Sequence, residues 1–95
     1  MIIVAGWIKV PADERAAYLE RSRGAIEAAR AAPGCIDFSV SADLVDDERV
    51  NVIEQWETVE DVERFRGSGP SDEQQGQILD AHVVQHVVSG STPLT

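Results

Sequence analysis

Apolar and polar positions along this chain follow two periods, and the switches between them mark its elements. Residues 35–42 (CIDFSVSA) give the clearest two-residue alternation. Ile36, Phe38, Val40 and Ala42 face one way, and Asp37, Ser39 and Ser41 the other, as in a strand with one wet face. Residues 1–10 (MIIVAGWIKV) and 49–57 (RVNVIEQWE) are richer in β-branched residues and read as buried central strands. Pro11 ends the first of these, because proline lacks the N–H a ladder needs. Asp13 is the expected cap of a helix from Arg15 onward. Ala16, Leu19, Ile26 and Ala29 recur near helical spacing, with Ser22 or Arg23 between them. Glu14, Glu20, Arg21, Glu27 and Arg30 mostly lie elsewhere on the cylinder, over about five turns. The apolar face is thin because alanine adds little area, so the helix can sit close to a sheet or leave space beneath it. Ala32-Pro33-Gly34 stops it, with Gly34 suited to a positive φ.

Asp43–Glu48 reads as a charged hairpin connection. Thr58 caps a second helix, with Asp61 three residues on and Val59, Val62 and Phe65 as its apolar face. Gly67-Ser68-Gly69-Pro70 breaks that helix. Ser71 opens a possible second helical piece to about Ala81, weakened by Gly76. Residues 82–89 (HVVQHVVS) read as a last strand.

The order β-α-β-β-α-β predicts an α+β, ferredoxin-like fold: a four-stranded antiparallel sheet with both helices on one face. Strands one and three belong in the middle. Residues 1–90 form one domain, and residues 91–95 a flexible tail. The sheet's other face is left bare, carrying β-branched residues of strands one and four with Ser39, Ser41 and Gln85. A bare apolar sheet is costly in water, so a homodimer packed sheet to sheet is expected.

Composition narrows the function. The 95 residues carry a formal net charge of −9, which disfavours nucleic acid and anionic membranes as partners. No apolar run reaches the roughly 20 residues of a membrane-spanning helix. Residues 1–10 lack a basic leader and read as a strand, so no signal peptide is expected. The single cysteine, Cys35, suits a reducing cytoplasm and has the neighbours of an inert thiol.

Few side chains can carry chemistry. Trp7 and Trp56 end the two central strands, either as packing or as an aromatic wall with an indole donor. Asn51 interrupts an apolar strand, either as a structural amide or as one that orients a substrate. His86 lies between valines; it is a packing residue or, lining a pocket, the best available general base. His82 and His86 lack a third ligand, so no metal site is expected. Tyr18 either reaches a pocket or shields the sheet. Glu54 shares the face of Trp56 and is either paired, with Arg49 and Lys9 as candidates, or raised in pKa. No hydrolase triad, phosphate loop or zinc signature occurs.

Three stretches, Ala32-Pro33-Gly34-Cys35, Glu54-Gln55-Trp56-Glu57 and Thr58–Phe65, together with the element order, resemble the antibiotic biosynthesis monooxygenase family of dimeric α+β barrels. The likeness runs over roughly residues 2–89. It implies a homodimer and, in each subunit, a pocket between sheet and helices. Some members oxidise polycyclic aromatics with O2 and neither metal nor flavin; others degrade haem, act on quinols or have no established activity. The implied function is cofactor-independent oxidation of a small aromatic or quinol-like substrate. His86 and Asn51 are then the candidate catalytic residues, and Trp7, Trp56, Tyr18, Phe38 and Phe65 the candidate substrate contacts. A non-catalytic ligand-binding or structural homodimer, or an enzyme of other chemistry, is the alternative. The haem degraders resemble one another in a strand-one asparagine, a second-helix tryptophan and a following histidine. This chain has Gly6 and Phe65 near the first two places and no histidine before His82, so haem degradation is not expected. Gly67–Gln77 also lacks the Ser-Pro-His type of extension seen in relatives.

Overall fold

The computed structural model describes residues 1–67 and 78–95. Four strands, β1 (Ile2–Lys9), β2 (Cys35–Ala42), β3 (Arg49–Trp56) and β4 (Asp80–Val87), alternate with two helices, α1 (Arg15–Arg30) and α2 (Val59–Arg66). All pairings are antiparallel and the spatial order is β2-β3-β1-β4. The ferredoxin-like arrangement is therefore present, with β1 and β3 central.

Register fixes which side chains share a face, because antiparallel partners project to the same side. One row runs Phe38, Glu54, Val4, Gln85, and the next runs Val40, Val52, Gly6, Val83. This side packs against the helices. Ile2, Val4, Phe38 and Trp56 are buried there with Ala29 of α1 and Val62 of α2. Val10, Val50 and Tyr18 form a second small cluster at the opposite end of the strands. Ile3, Ala5, Trp7, Ile53, Val84 and His86 occupy the other face.

Several local expectations are corrected. A 3-10 turn at Ala12–Glu14 precedes α1, and no side chain caps it or α1. Ala16 is exposed, whereas Tyr18, Ser22 and Ala29 face inward. A register shift between Cys35 and Asp37 leaves Ile36 exposed, out of line with Phe38 and Val40. The last strand starts at Asp80, two residues before His82, so Asp80 and Ala81 are not helical. The expected helix start at Ser71 and the departure from relatives over 68–77 lie outside the described residues. Gln85 belongs to the helix side, not the bare face, because it pairs with Val4.

Thr58 caps α2 as its sequence predicts: its hydroxyl accepts from the Asp61 N–H at 3.2 Å and donates to the Asp61 carboxylate at 2.8 Å. Gly34 has φ 81°, and a side chain there would strike Asp61. Gly6 is held close to its neighbour strand at φ 155°; a Cβ there would run into the His82 carbonyl. Among the described residues, no helix is long and apolar enough to cross a membrane.

Candidate functional site

Helix α1 covers the sheet unevenly. At 100° per residue, Leu19, Arg23, Ile26 and Arg30 fall on one flank of its buried line, and Arg21, Ala25 and Ala28 on the other. The first flank faces the β2 edge: Arg30 Nε donates to the Phe38 carbonyl at 2.9 Å. Leu19, Arg23, Ile26 and Arg30 border, with Glu27 and Val40, an open groove of about 300 Å³. The opposite flank, small and apolar apart from Arg21, therefore overlooks β1 and β4.

Beneath that flank the sheet is poorly filled. Gly6 contributes no side chain at the centre of β1. Its neighbour Val83 is 39% exposed, and Val87 in the Ile2 row is 79% exposed. Gln85 lies between them on the same side and is exposed too. The described residues thus outline a strip over β1 and β4 floored by Gly6, Val83, Gln85 and Val87. Beyond it, over β3 and β2, lies an aromatic core. Phe65 lies 5.4 Å from Trp56 and 5.7 Å from Phe38, centroid to centroid, and Phe38 meets Trp56 edge to face at 6.5 Å. Of the sequence candidates, Phe38, Trp56 and Phe65 come together here. Tyr18 sits in the other cluster with Val10 and Val50, where burial pushes its phenol pKa up, so it stays a neutral hydroxyl.

The polar centre of this core differs from the sequence expectation. Glu54 is only 3% exposed, and its partners are Trp56 and Arg66, not Arg49 or Lys9. The Trp56 indole N–H donates to Oε1 at 3.0 Å, and Arg66 Nη2 donates to both carboxylate oxygens at 3.1 and 3.0 Å. Nothing local in the α2 sequence points Arg66 to β3. The signal was present, however: a carboxylate on the face of Trp56 in a central strand demands a cation from the covering layer.

Trp7, Asn51 and His86 lie on the bare face, so the two tryptophans do not form one wall. Trp7 is ringed by Lys9 at 5.9 Å, Arg49 at 5.8 Å and the His82 ring at 6.1 Å. Asn51 accepts from Arg49 Nε at 2.6 Å and donates to Asp43 at 2.8 Å. Those contacts tie it to the β2–β3 connection. The Asp43 carboxyl is held down at about 2 by bonds from the Asp46 N–H, the Asn51 amide and the Val45 N–H. His86 lies beside Ile3 on this same face. Cys35 has its thiol pKa pushed up by burial and by nearby Asp37 and Glu54, so it is a poor nucleophile.

Comparison with known proteins now names the class. The family model for antibiotic biosynthesis monooxygenases matches residues 1–83, and the chain belongs to that family. A Deinococcus radiodurans protein classed with these monooxygenases superposes at TM-score 0.88 with 17% identity, covering 100% of this chain and 99% of that one. A Nitrosomonas europaea protein of the same description gives 0.79 at 16% identity, over 95% and 100%. The haem degrader MhuD of Mycobacterium tuberculosis, solved with two haems bound, gives 0.68 at 19% identity, over 98% and 100%. At these identities the likeness concerns the fold. An uncharacterised Synechocystis protein is 38% identical over 55 residues, 58% of this chain but 37% of its own length. The chain thus matches little more than a third of that curated relative.

Proposed function

We propose that the protein is a cofactor-independent monooxygenase that oxidises a small aromatic or quinol-like substrate on the strip over β1 and β4. The observation that carries this reading is the strip itself: exposed Val83 and Val87 on β4, with Gly6 beside Val83 and the packed aromatic core of Phe38, Trp56 and Phe65 beyond β1. A flat apolar ring buries its faces well in such a place. An anthrone-like substrate brings its own reactivity. Loss of a ring-activated proton gives a delocalised carbanion, which passes an electron to O2. Recombination forms a C–O bond, and loss of water leaves the quinone. The protein must position the ring, exclude water and stabilise the developing oxyanion. Gly6 and Phe65 stand where haem degraders carry asparagine and tryptophan, so the residues of that pattern are not supplied at those two places.

In this reading the bare face is closed by a second copy. Exposed Ile53 and Val84 lie there in one row with Ala5, next to Ile3 and Trp7. Asn51 and His86 then belong to the subunit interface, and their effect on turnover runs through assembly. The alternative, a dimer that binds an aromatic without turning it over, shares the strip and differs only in chemistry. Oxygen uptake with dithranol and with a naphthoquinol separates them. Enzyme-dependent uptake with quinone formation supports the oxygenase. Saturable binding of the same compounds without uptake supports the binder.

A further inference from the structure

We infer that Arg66 is the specificity-determining residue of the strip and selects a planar aromatic carrying an ionised oxygen, a phenolate, enolate or carboxylate. The inference rests on the reading of the strip as the ligand site. Arg66 brings its cation to the helix side of the sheet, into the row of Glu54, Val4 and Gln85. Of the other cations, Arg21 on the overlooking flank of α1 has a contact of its own, and the rest are committed elsewhere. Arg15 bonds the carbonyls of Asp43, Asp46 and Arg49, and Arg30 that of Phe38. Arg23 pairs with Glu20 and Arg64 with Asp61, while Lys9 and Arg49 flank Trp7 on the bare face.

The Glu54 pairing prepares Arg66 for a second acceptor. Both carboxylate oxygens take the same nitrogen, Nη2. Among the described residues that leaves the Nε–H and the two Nη1 protons of the guanidinium fork, which is built for planar oxyanions. The Arg66 side chain is 46% exposed while that of Glu54 is 4%, so the cation is anchored from below and open from above. A donor whose rotamer is already fixed loses little entropy on binding. Glu54 and Gln85 stand two strands apart, about 9.6 Å at ordinary spacing. Val4, between them, is buried in the core, so a ring seated on β4 at Gln85 turns its anionic edge to Arg66 from the solvent side of that core.

The test is calorimetric titration with 2-naphthoate and its neutral counterpart 2-naphthamide. Wild-type protein is expected to bind the acid about tenfold more tightly than the amide, with a preference that fades as salt is raised. Glu54→Gln keeps an acceptor for the Trp56 N–H and removes the competing charge, so the acid should bind more tightly still. The double variant Glu54→Gln/Arg66→Gln leaves no buried charge, so it should fold and bind acid and amide alike. Equal affinities in the wild type overturn the role of Arg66 but leave the strip standing. An acid preference that survives in the double variant also overturns it. No binding of either compound overturns the inference together with the site it rests on.

Discussion

Trp56 and Glu54 stand two residues apart on β3 and are joined side chain to side chain, indole N–H to carboxylate, at 3.0 Å. Period-two geometry puts both on the helix side, and Arg66 closes the triangle from α2. The pairing resolves two difficulties together: a fully buried indole needs an acceptor, and a buried carboxylate needs donors. It also fixes the wall of the proposed ligand strip.

Removing that carboxylate should therefore weaken the fold. Glu54→Ala leaves the Trp56 N–H unpaired and opens a void, at a cost of about 2–4 kcal/mol. Glu54→Gln keeps the indole bond and should cost about half as much. Urea unfolding, read as a change in midpoint at constant slope, compares the two.

At Gly6 the backbone of β4 leaves no room for a side chain on β1. Gly6→Ala drives a Cβ into the His82 carbonyl at a backbone angle that L residues rarely adopt. The expected loss is about 3 kcal/mol or more, with amide exchange accelerating first along β4, an edge strand. Unchanged protection of β4 would contradict the packing described.

Thr58→Ala removes both the hydroxyl that accepts the Asp61 N–H and the donor that holds the Asp61 carboxylate. A loss of about 1 kcal/mol is expected, concentrated in α2. Asp61→Asn keeps the backbone bond to Thr58 and should cost less.

Asp43 links pH to the β2–β3 connection. Its folded pKa, about 2, lies below its ordinary 3.8. The bonds it accepts thus stabilise the fold fully above the ordinary value, and that contribution disappears as pH falls from about 4 towards 2. Asn51→Ala removes one of these donors, so the Asp43 midpoint should move up towards 3.8. Carboxyl NMR titration of both forms measures the shift.

A second copy on the bare face predicts that Ile53→Asp, at a position 41% exposed in the single chain, yields a monomer that keeps its fold. Sedimentation equilibrium at micromolar concentration reads this directly. A wild-type monomer would contradict the proposed pairing of sheets.

The element order, the central strands, the Thr58 cap and the Gly34 turn were legible in the sequence because each depends on neighbours in the chain. The alternation of β2 misled at Ile36, since a register shift is set by the partner strand. Glu54 was visibly in need of a cation. Period two already puts Arg49, five residues away in the same strand, on the opposite face, whereas excluding Lys9 requires the β1–β3 register. Trp7 and Trp56 both close central strands, yet one has an odd and one an even place in the pairing register. His86 shares the odd parity of Trp7's row, which sets it apart from the helix side. A single residue of register decides such questions.

The central claim is that ligand sits on the helix side of β1 and β4 while the other face serves assembly. Methyl-resolved NMR during titration with dithranol under nitrogen tests it most directly, because β4 carries a valine reporter on each side. The account predicts that Val83 and Val87 methyls shift in proportion to saturation while Val84 and Ile53 hold still. Shifts at Val84 and Ile53, with Val83 and Val87 unmoved, would contradict it.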